Sequence, residues 1–234
     1  MSTPPQPTAT SYALLGLLAI KPWTAYELAQ QMDRTLSRFW PRARSKLYEE
    51  PKKLEALGLA QSSMGTVGRR RRTTYTITPR GRRALAEWLA RPGEGPVLEC
   101  ELLVKIFFAD STSTAELRKR IAELRDWGQQ FTEVNVQVGR EYMKGEGAFP
   151  QRSAINQLVG TFIDDFLEMV DRWAEWATDM TAKWPEDPTK ANPDWTAMDA
   201  VVQRGIDRSA RWNSRFRGRP PAPGASGRDS SGPP

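Results

Sequence analysis

The chain has 234 residues, 39% of them hydrophobic and 26% charged, enough to pack one or two domains. A single cysteine, Cys100, and no histidine exclude an intrachain disulfide and the common Cys/His zinc sites. The net charge of +6 is unevenly spread. Met1 to Pro92 carries 16 basic against 6 acidic side chains, Gly93 to Lys183 carries 10 against 16, and Trp184 to Pro234 carries 8 against 6.

A basic first segment beside an acidic second one is what a nucleic-acid reader joined to a non-binding partner domain would show. A solvated surface with random asymmetry is the alternative. Met1 to Thr10, rich in Pro and Thr, reads as a disordered lead-in. Tyr12 to Ile20 is apolar nearly all round, as in a first helix buried against its neighbours, and Lys21-Pro22 stops it. It falls far short of the ~20 residues of a membrane span, and no basic region precedes it as in a signal peptide, so the expectation is a cytoplasmic protein with no membrane partner. Thr24 with Glu27 three residues on forms a capping box that launches a second helix through Met32. Tyr26, Leu28, Ala29 and Met32 are expected on its core face, and Gln30, Gln31 and Arg34 toward solvent or a DNA backbone.

A third helix is predicted from about Pro41 or Arg42, with Leu47, Leu54 and Leu57 on one face and Gly58 as its stop. Pro51 inside it predicts a bend between Tyr48 and Lys52. Its N-terminal half would expose Arg42, Arg44, Ser45, Lys46 and Tyr48. Tyr48 reads either as a core aromatic or as a phosphate contact through its hydroxyl. Arg69, Arg70, Arg71 and Arg72 follow Gly65 and Gly68 between two strand-like runs, which reads as an arginine-loaded hairpin tip. Four adjacent like charges repel unless an anion is close, and a duplex supplies one negative charge per ~1.7 Å. The competing reading is an idle, solvated tip. Thr74 to Thr78 alternates as the returning strand, and Thr78-Pro79 starts a fourth helix with Leu85, Trp88 and Leu89 on one side.

Helix, hairpin and basic tip are the parts of a winged helix-turn-helix reader of double-stranded DNA. The blocks Tyr12-Ala-Leu-Leu-Gly-Leu-Leu-Ala, Pro22-Trp-Thr-Ala-Tyr-Glu-Leu, Phe39-Trp-Pro, Lys46-Leu-Tyr-Glu-Glu-Pro-Lys-Lys-Leu-Glu and Tyr75-Thr-Ile-Thr-Pro-Arg-Gly, in this order over Tyr12 to Trp88, resemble the PadR family of transcriptional regulators. Ala25 stands where many members have glycine. The resemblance implies DNA contacts from Ser45, Lys46 and Tyr48 on the recognition helix and from the Arg69 to Arg72 wing. It also implies a homodimeric repressor on palindromic operator DNA, released by a small-molecule effector.

Arg91-Pro-Gly-Glu-Gly-Pro96 breaks all periodicity and reads as a linker. Leu98, Leu102, Leu103, Ile106 and Phe107 then recur at helical spacing, a long helix follows from Thr114, Gly145 marks a turn, and a third helix runs from about Ser153 to Lys183. The apolar stripes on the two long helices exceed what one chain can cover, which predicts pairing with a second copy; a closed monomeric bundle is the alternative. Trp127, Trp173 and Trp176 read either as an aromatic effector pocket or as plain packing. Beyond Pro185 the composition predicts disorder, with Trp195, Met198, Val202 and Ile206 outlining one short amphipathic helix.

The expected map is a disordered N-terminus over 1–10, a winged helix-turn-helix domain over 11–92, a helical dimerisation domain over 93–184 and a mostly disordered tail over 185–234. The fold class is mainly α, with one small β-hairpin. Asp164-Asp165, Glu99 and Glu101 have no companion nucleophile, glycine-rich phosphate loop or metal cluster, so no enzyme and no cofactor is expected. A sequence-indifferent nucleic-acid binder or a winged-helix adaptor for proteins is the alternative function.

Overall fold

The computed structural model describes residues 6–67 and 70–216. The chain divides into two compact units, with the boundary between Glu94 and Gly95. It is mainly helical with one small antiparallel sheet.

The first unit opens with α1, Ala9–Ile20, which begins earlier than the sequence suggests. Thr8 and Ser11 form a reciprocal capping box, so Ala9 and Thr10 belong to the helix and Thr10 is buried, where disorder is expected from composition. Strand β1, Trp23–Thr24, leads directly into α2, Ala25–Thr35, whose cap is the expected Thr24–Glu27 box. Within α2 two assignments are exchanged. Tyr26 is exposed and Gln31 is buried. Gln31 lies three residues after Leu28 and shares its face, whereas Tyr26 lies two before it and points away.

Helix α3, Arg44–Ala56, starts later than predicted and runs through Pro51 without interruption. The Pro51 ring is fully buried with Leu47 and Leu54, so it occupies a core position. After α3 the Gly58 N–H reaches the Glu55 carbonyl at 2.8 Å and the Leu59 N–H reaches Leu54 at 2.9 Å, with Gly58 at a φ of 67°. This is a Schellman close, which favours glycine at its left-handed residue.

Strands β2, Ala60–Val67, and β3, Arg70–Ile77, pair antiparallel from Ala60↔Ile77 to Val67↔Arg70, and β3 also pairs with β1, giving the order β1-β3-β2. Helix α4, Pro79–Ala90, is capped by Thr78 and docks through Gly81, where an added Cβ would stand 2.0 Å from the Leu59 carbonyl oxygen. Tyr12 and Trp88 stack at 4.8 Å and fix α4 against α1. The core beneath these elements is Leu14, Leu15, Leu18, Leu28, Met32, Leu47 and Leu54, all within 2% of complete burial. Each such side chain contributes about 1.5 to 3 kcal/mol through removal from water.

The second unit contains α5, Glu101–Phe107; α6, Thr114–Met143; α7, Ser153–Thr181; and α8, Trp195–Phe216. Helices α6 and α7 are antiparallel. Asn156 near the start of α7 donates to the Tyr142 hydroxyl near the end of α6 at 2.9 Å, and the Thr114 N–H at the start of α6 donates to the Glu186 carbonyl beyond α7 at 2.9 Å. One buried cluster between them comprises Ala109, Leu117, Ile121, Ala174 and Ala177, flanked by Ile106, Trp173 and Trp184, and Ile163, Leu167 and Val170 of α7 are buried as well.

The expected disorder after Pro185 is corrected for the described part of the tail. A 22-residue helix, α8, stands where a short one is outlined, and its N-terminus is bound by Asp194, which accepts from the Ala197 N–H at 2.9 Å. Averaging with the Pro-rich end of the chain conceals it. Residues 217–234, expected to be disordered, lie outside the described residues, as do residues 1–5. Among the described residues no helix is long and apolar enough to cross a membrane.

Candidate nucleic-acid interface

Helix α3 is anchored by Leu47, Pro51 and Leu54, which fixes what the opposite side presents. Arg44, Ser45, Lys46, Tyr48, Glu49 and Lys52 are exposed. Tyr48 retains 38% exposure, which removes the core-aromatic reading. Arg42 precedes the helix. Its guanidinium lies 4.1 Å over the Trp40 ring and donates to the Pro41 carbonyl at 2.6 Å, while Trp40 is tied to Thr10 by its ring N–H at 3.2 Å. The start of α3 is thus braced onto α1 through Trp40. The Ser11 hydroxyl donates to Glu50 at 2.6 Å and adds a second brace.

The wing differs from the tip drawn from sequence. Arg70, Arg71 and Arg72 lie inside β3, opposite Val67, Thr66 and Gly65, so only Gly68 and Arg69 fall between the strands. Arg69, and the side chain of Arg70, lie outside the described residues. Strand alternation sends Arg71 and Arg72 to opposite faces of the sheet. Arg71 shares its face with the buried Tyr75 and Ile77 but lies beyond the core, exposed. Arg72 turns the other way and meets Glu27 at 2.6 Å.

Two of the expected DNA-facing cations are therefore already held by carboxylates of α2. Arg44 donates to Asp33 through Nε at 2.7 Å and lies 2.6 Å from it through Nη2. That contact holds the Arg44 guanidinium above its usual range, by hydrogen bond first and by charge second. The Glu27 carboxyl is held below the usual carboxylate range. The Thr24 backbone N–H is the largest cause, partial burial opposes it, and the Thr24 hydroxyl and Arg72 guanidinium reinforce it. Sequence reasoning identified Glu27 as a cap and missed its second partner. It missed Asp33 altogether. The acid-to-base separations, 45 and 11 residues, leave no local periodic signal.

Residues 14–87 match the model of the transcriptional regulator PadR-like family. Over 125 residues the chain is 30% identical to the negative transcriptional regulator PadR of Bacillus subtilis, a match covering 49% of this chain and 69% of that protein. The chain belongs to the PadR-like family of transcriptional regulators. Its fold is also that of solved members. Bacillus subtilis PadR in complex with operator DNA superposes with a TM-score of 0.66 at 23% identity, covering 74% of this chain and 99% of that one. The same protein in complex with p-coumaric acid gives 0.60 at 24%, covering 75% and 100%. About a quarter of the present chain thus has no counterpart in either PadR structure.

In this PadR-like chain the three tryptophans, read from sequence as either an effector pocket or plain packing, are placed differently from one another. Trp127 on α6 lies 4.6 Å from the Phe131 ring and 6.5 Å, edge on, from Phe166 of α7. Trp173 packs on the buried cluster of Ala109, Leu117, Ile121, Ala174 and Ala177, and Trp176 is half exposed. Among the described residues no ring contact joins Trp127 to Trp173 or Trp176. A separate open groove of about 740 Å³ runs along α5, lined by Leu98, Leu103, Val104, Phe107 and Phe108 with Glu99, Cys100 and Glu101 at its polar side.

Proposed function

We propose that this PadR-like regulator is a ligand-responsive repressor that binds palindromic operator DNA as a homodimer in the cytoplasm and catalyses no reaction. The observation that carries the DNA-binding reading is the outward face of α3. Ser45, Lys46 and Tyr48 project from a helix whose other side is locked by fully buried Leu47, Pro51 and Leu54, beside a hairpin loaded with arginine. A rigid helix with short polar and cationic side chains suits base edges in a major groove, and a β-ribbon carrying cations suits the adjoining phosphates. That the Bacillus subtilis relative crystallised with operator DNA supports the same use of this face.

Dimerisation through residues 93–184 is supported by apolar side chains that one chain leaves uncovered. Leu158 is 75% exposed and Phe162 64%, and Ile155, Met169 and Trp176 continue their row along α7. A two-fold protein on a palindrome follows from such pairing. The relative solved with p-coumaric acid supports a small-molecule effector, for which the aromatic group of Trp127, Phe131 and Phe166 is the proposed receptor in this chain. The reading is tested by selecting duplexes from a random-sequence pool with the purified protein. An inverted repeat that outcompetes its scrambled version is expected; recovery of unrelated sequences, or no recovery, would contradict it.

A further inference from the structure

Helix α2 supplies an acid to each half of the proposed DNA surface. Asp33 holds Arg44 in the first turn of α3, and Glu27 holds Arg72 of the wing. The second contact is the more constrained. One Glu27 oxygen accepts from the Thr24 N–H at 2.8 Å and from the Thr24 hydroxyl at 2.9 Å, so the carboxylate is fixed to the helix start. Its other oxygen faces Arg72 at 2.6 Å. Arg72 lies opposite Gly65, in the outer part of a hairpin whose anchoring residues, Tyr75 and Ile77, are buried at its base. Past Thr74, where β1 ends its pairing, no third strand among the described residues supports β3, and the two-stranded arm is held to α2 through this ion pair.

We propose that Glu27 is a positioning residue for DNA binding: it clamps the wing through Arg72 and sets the wing's angle to the recognition helix. Arg72 then serves the clamp, and the phosphate contacts of the described wing fall to Arg71. The inference rests on the DNA-binding reading above. It has a consequence opposite in sign to simple electrostatics. A carboxylate near a DNA-facing surface repels phosphate, so neutralising an idle Glu27 would raise affinity for every duplex. Neutralising a clamp would lower affinity where the wing's placement matters, on the preferred sequence.

Glu27→Gln separates the two. Glutamine serves the capping box as glutamate does, because its side-chain oxygen still accepts from Thr24, but it cannot form the ion pair. The full chain and its E27Q, R72Q and double variants are to be titrated with the duplex recovered by the wild-type protein from a random-sequence pool and with a scrambled duplex. Hydrogen exchange of the β2–β3 amides is followed without DNA. The expected result is a loss of about threefold to fivefold on the recovered duplex for E27Q, the scale of a partly exposed ion pair. No further loss is expected on adding R72Q, and exchange in the outer hairpin should be faster with only a small drop in melting temperature at neutral pH. E27Q binding as tightly as wild type or tighter overturns the clamp, as does a further loss of R72Q in the E27Q background on both duplexes. Wild-type protein that recovers no duplex overturns the DNA-binding reading and the inference resting on it, whereas hydrogen exchange still reports whether the hairpin is clamped.

Discussion

The two units of this chain bury their apolar residues to very different degrees. In the first, seven large aliphatic side chains from α1, α2 and α3 are almost wholly removed from water. In the second, only Ala174 and Ile121 among the described hydrophobic residues reach that burial, with Ala109, Leu117, Ile163, Leu167, Val170 and Ala177 4–8% exposed, while Phe107 stays 79% exposed and Leu158 75%. A unit whose hydrophobic residues find partners within the chain can fold on its own. One that leaves rows of them uncovered offers a face to a second copy, in line with the homodimer proposed above. The difference supports the proposal that the second unit mediates assembly.

Breaking assembly should have the largest effect. Leu158→Glu combined with Phe162→Glu leaves the first unit untouched and places charge in the proposed dimer face. Sedimentation should show a monomer, and operator affinity should fall by about a hundredfold or more as the two half-sites become uncoupled. A variant that remains dimeric with full affinity would return the second unit to the closed-monomer reading. Gly81→Ala attacks the other side of the comparison. The new Cβ meets the Leu59 carbonyl, so the first unit should lose about 2 kcal/mol in denaturant unfolding while the dimer persists.

Smaller effects divide the DNA surface itself. Lys46→Ala or Ser45→Ala should cost about 1 to 3 kcal/mol on the operator and relax preference at particular base pairs. Arg71→Ala should weaken operator and scrambled DNA alike and reduce the salt slope by about one. The smallest effect is one of pH. Glu27 has a depressed folded pKa, so the stability it contributes is present above its unfolded value, roughly 4.3, and is lost as pH falls through the folded one. Melting curves of wild type and Glu27→Gln should differ at neutral pH and converge in acid. A gap that widened in acid would reverse that sign.

Local chemistry made much of this legible in the sequence. The Thr24–Glu27 box, the Gly58 stop and the Leu47–Leu54 face are written in adjacent residues, and each appears in the structure where its chemistry requires. Pairings across the chain were not legible. The run of four arginines reads as a tip until the register from Ala60↔Ile77 outward carries three of them into a strand and turns Arg72 toward Glu27. The same holds for Asp33 and Arg44. Each acid has a local role or none, and its base lies on another element. Helix α8 was obscured for a different reason, because the composition of the whole tail outweighed a periodic stretch within it.

The central claim is that α3 and the wing read DNA in pairs. Hydroxyl-radical footprinting of the full chain on its selected duplex tests this most directly. The account predicts two protected segments related by a dyad, their centres about one helical turn or a whole multiple of it apart. Their protection should disappear together in the Leu158→Glu, Phe162→Glu variant. A single protected segment unchanged in that variant, or protection spread evenly over any sequence, would contradict it.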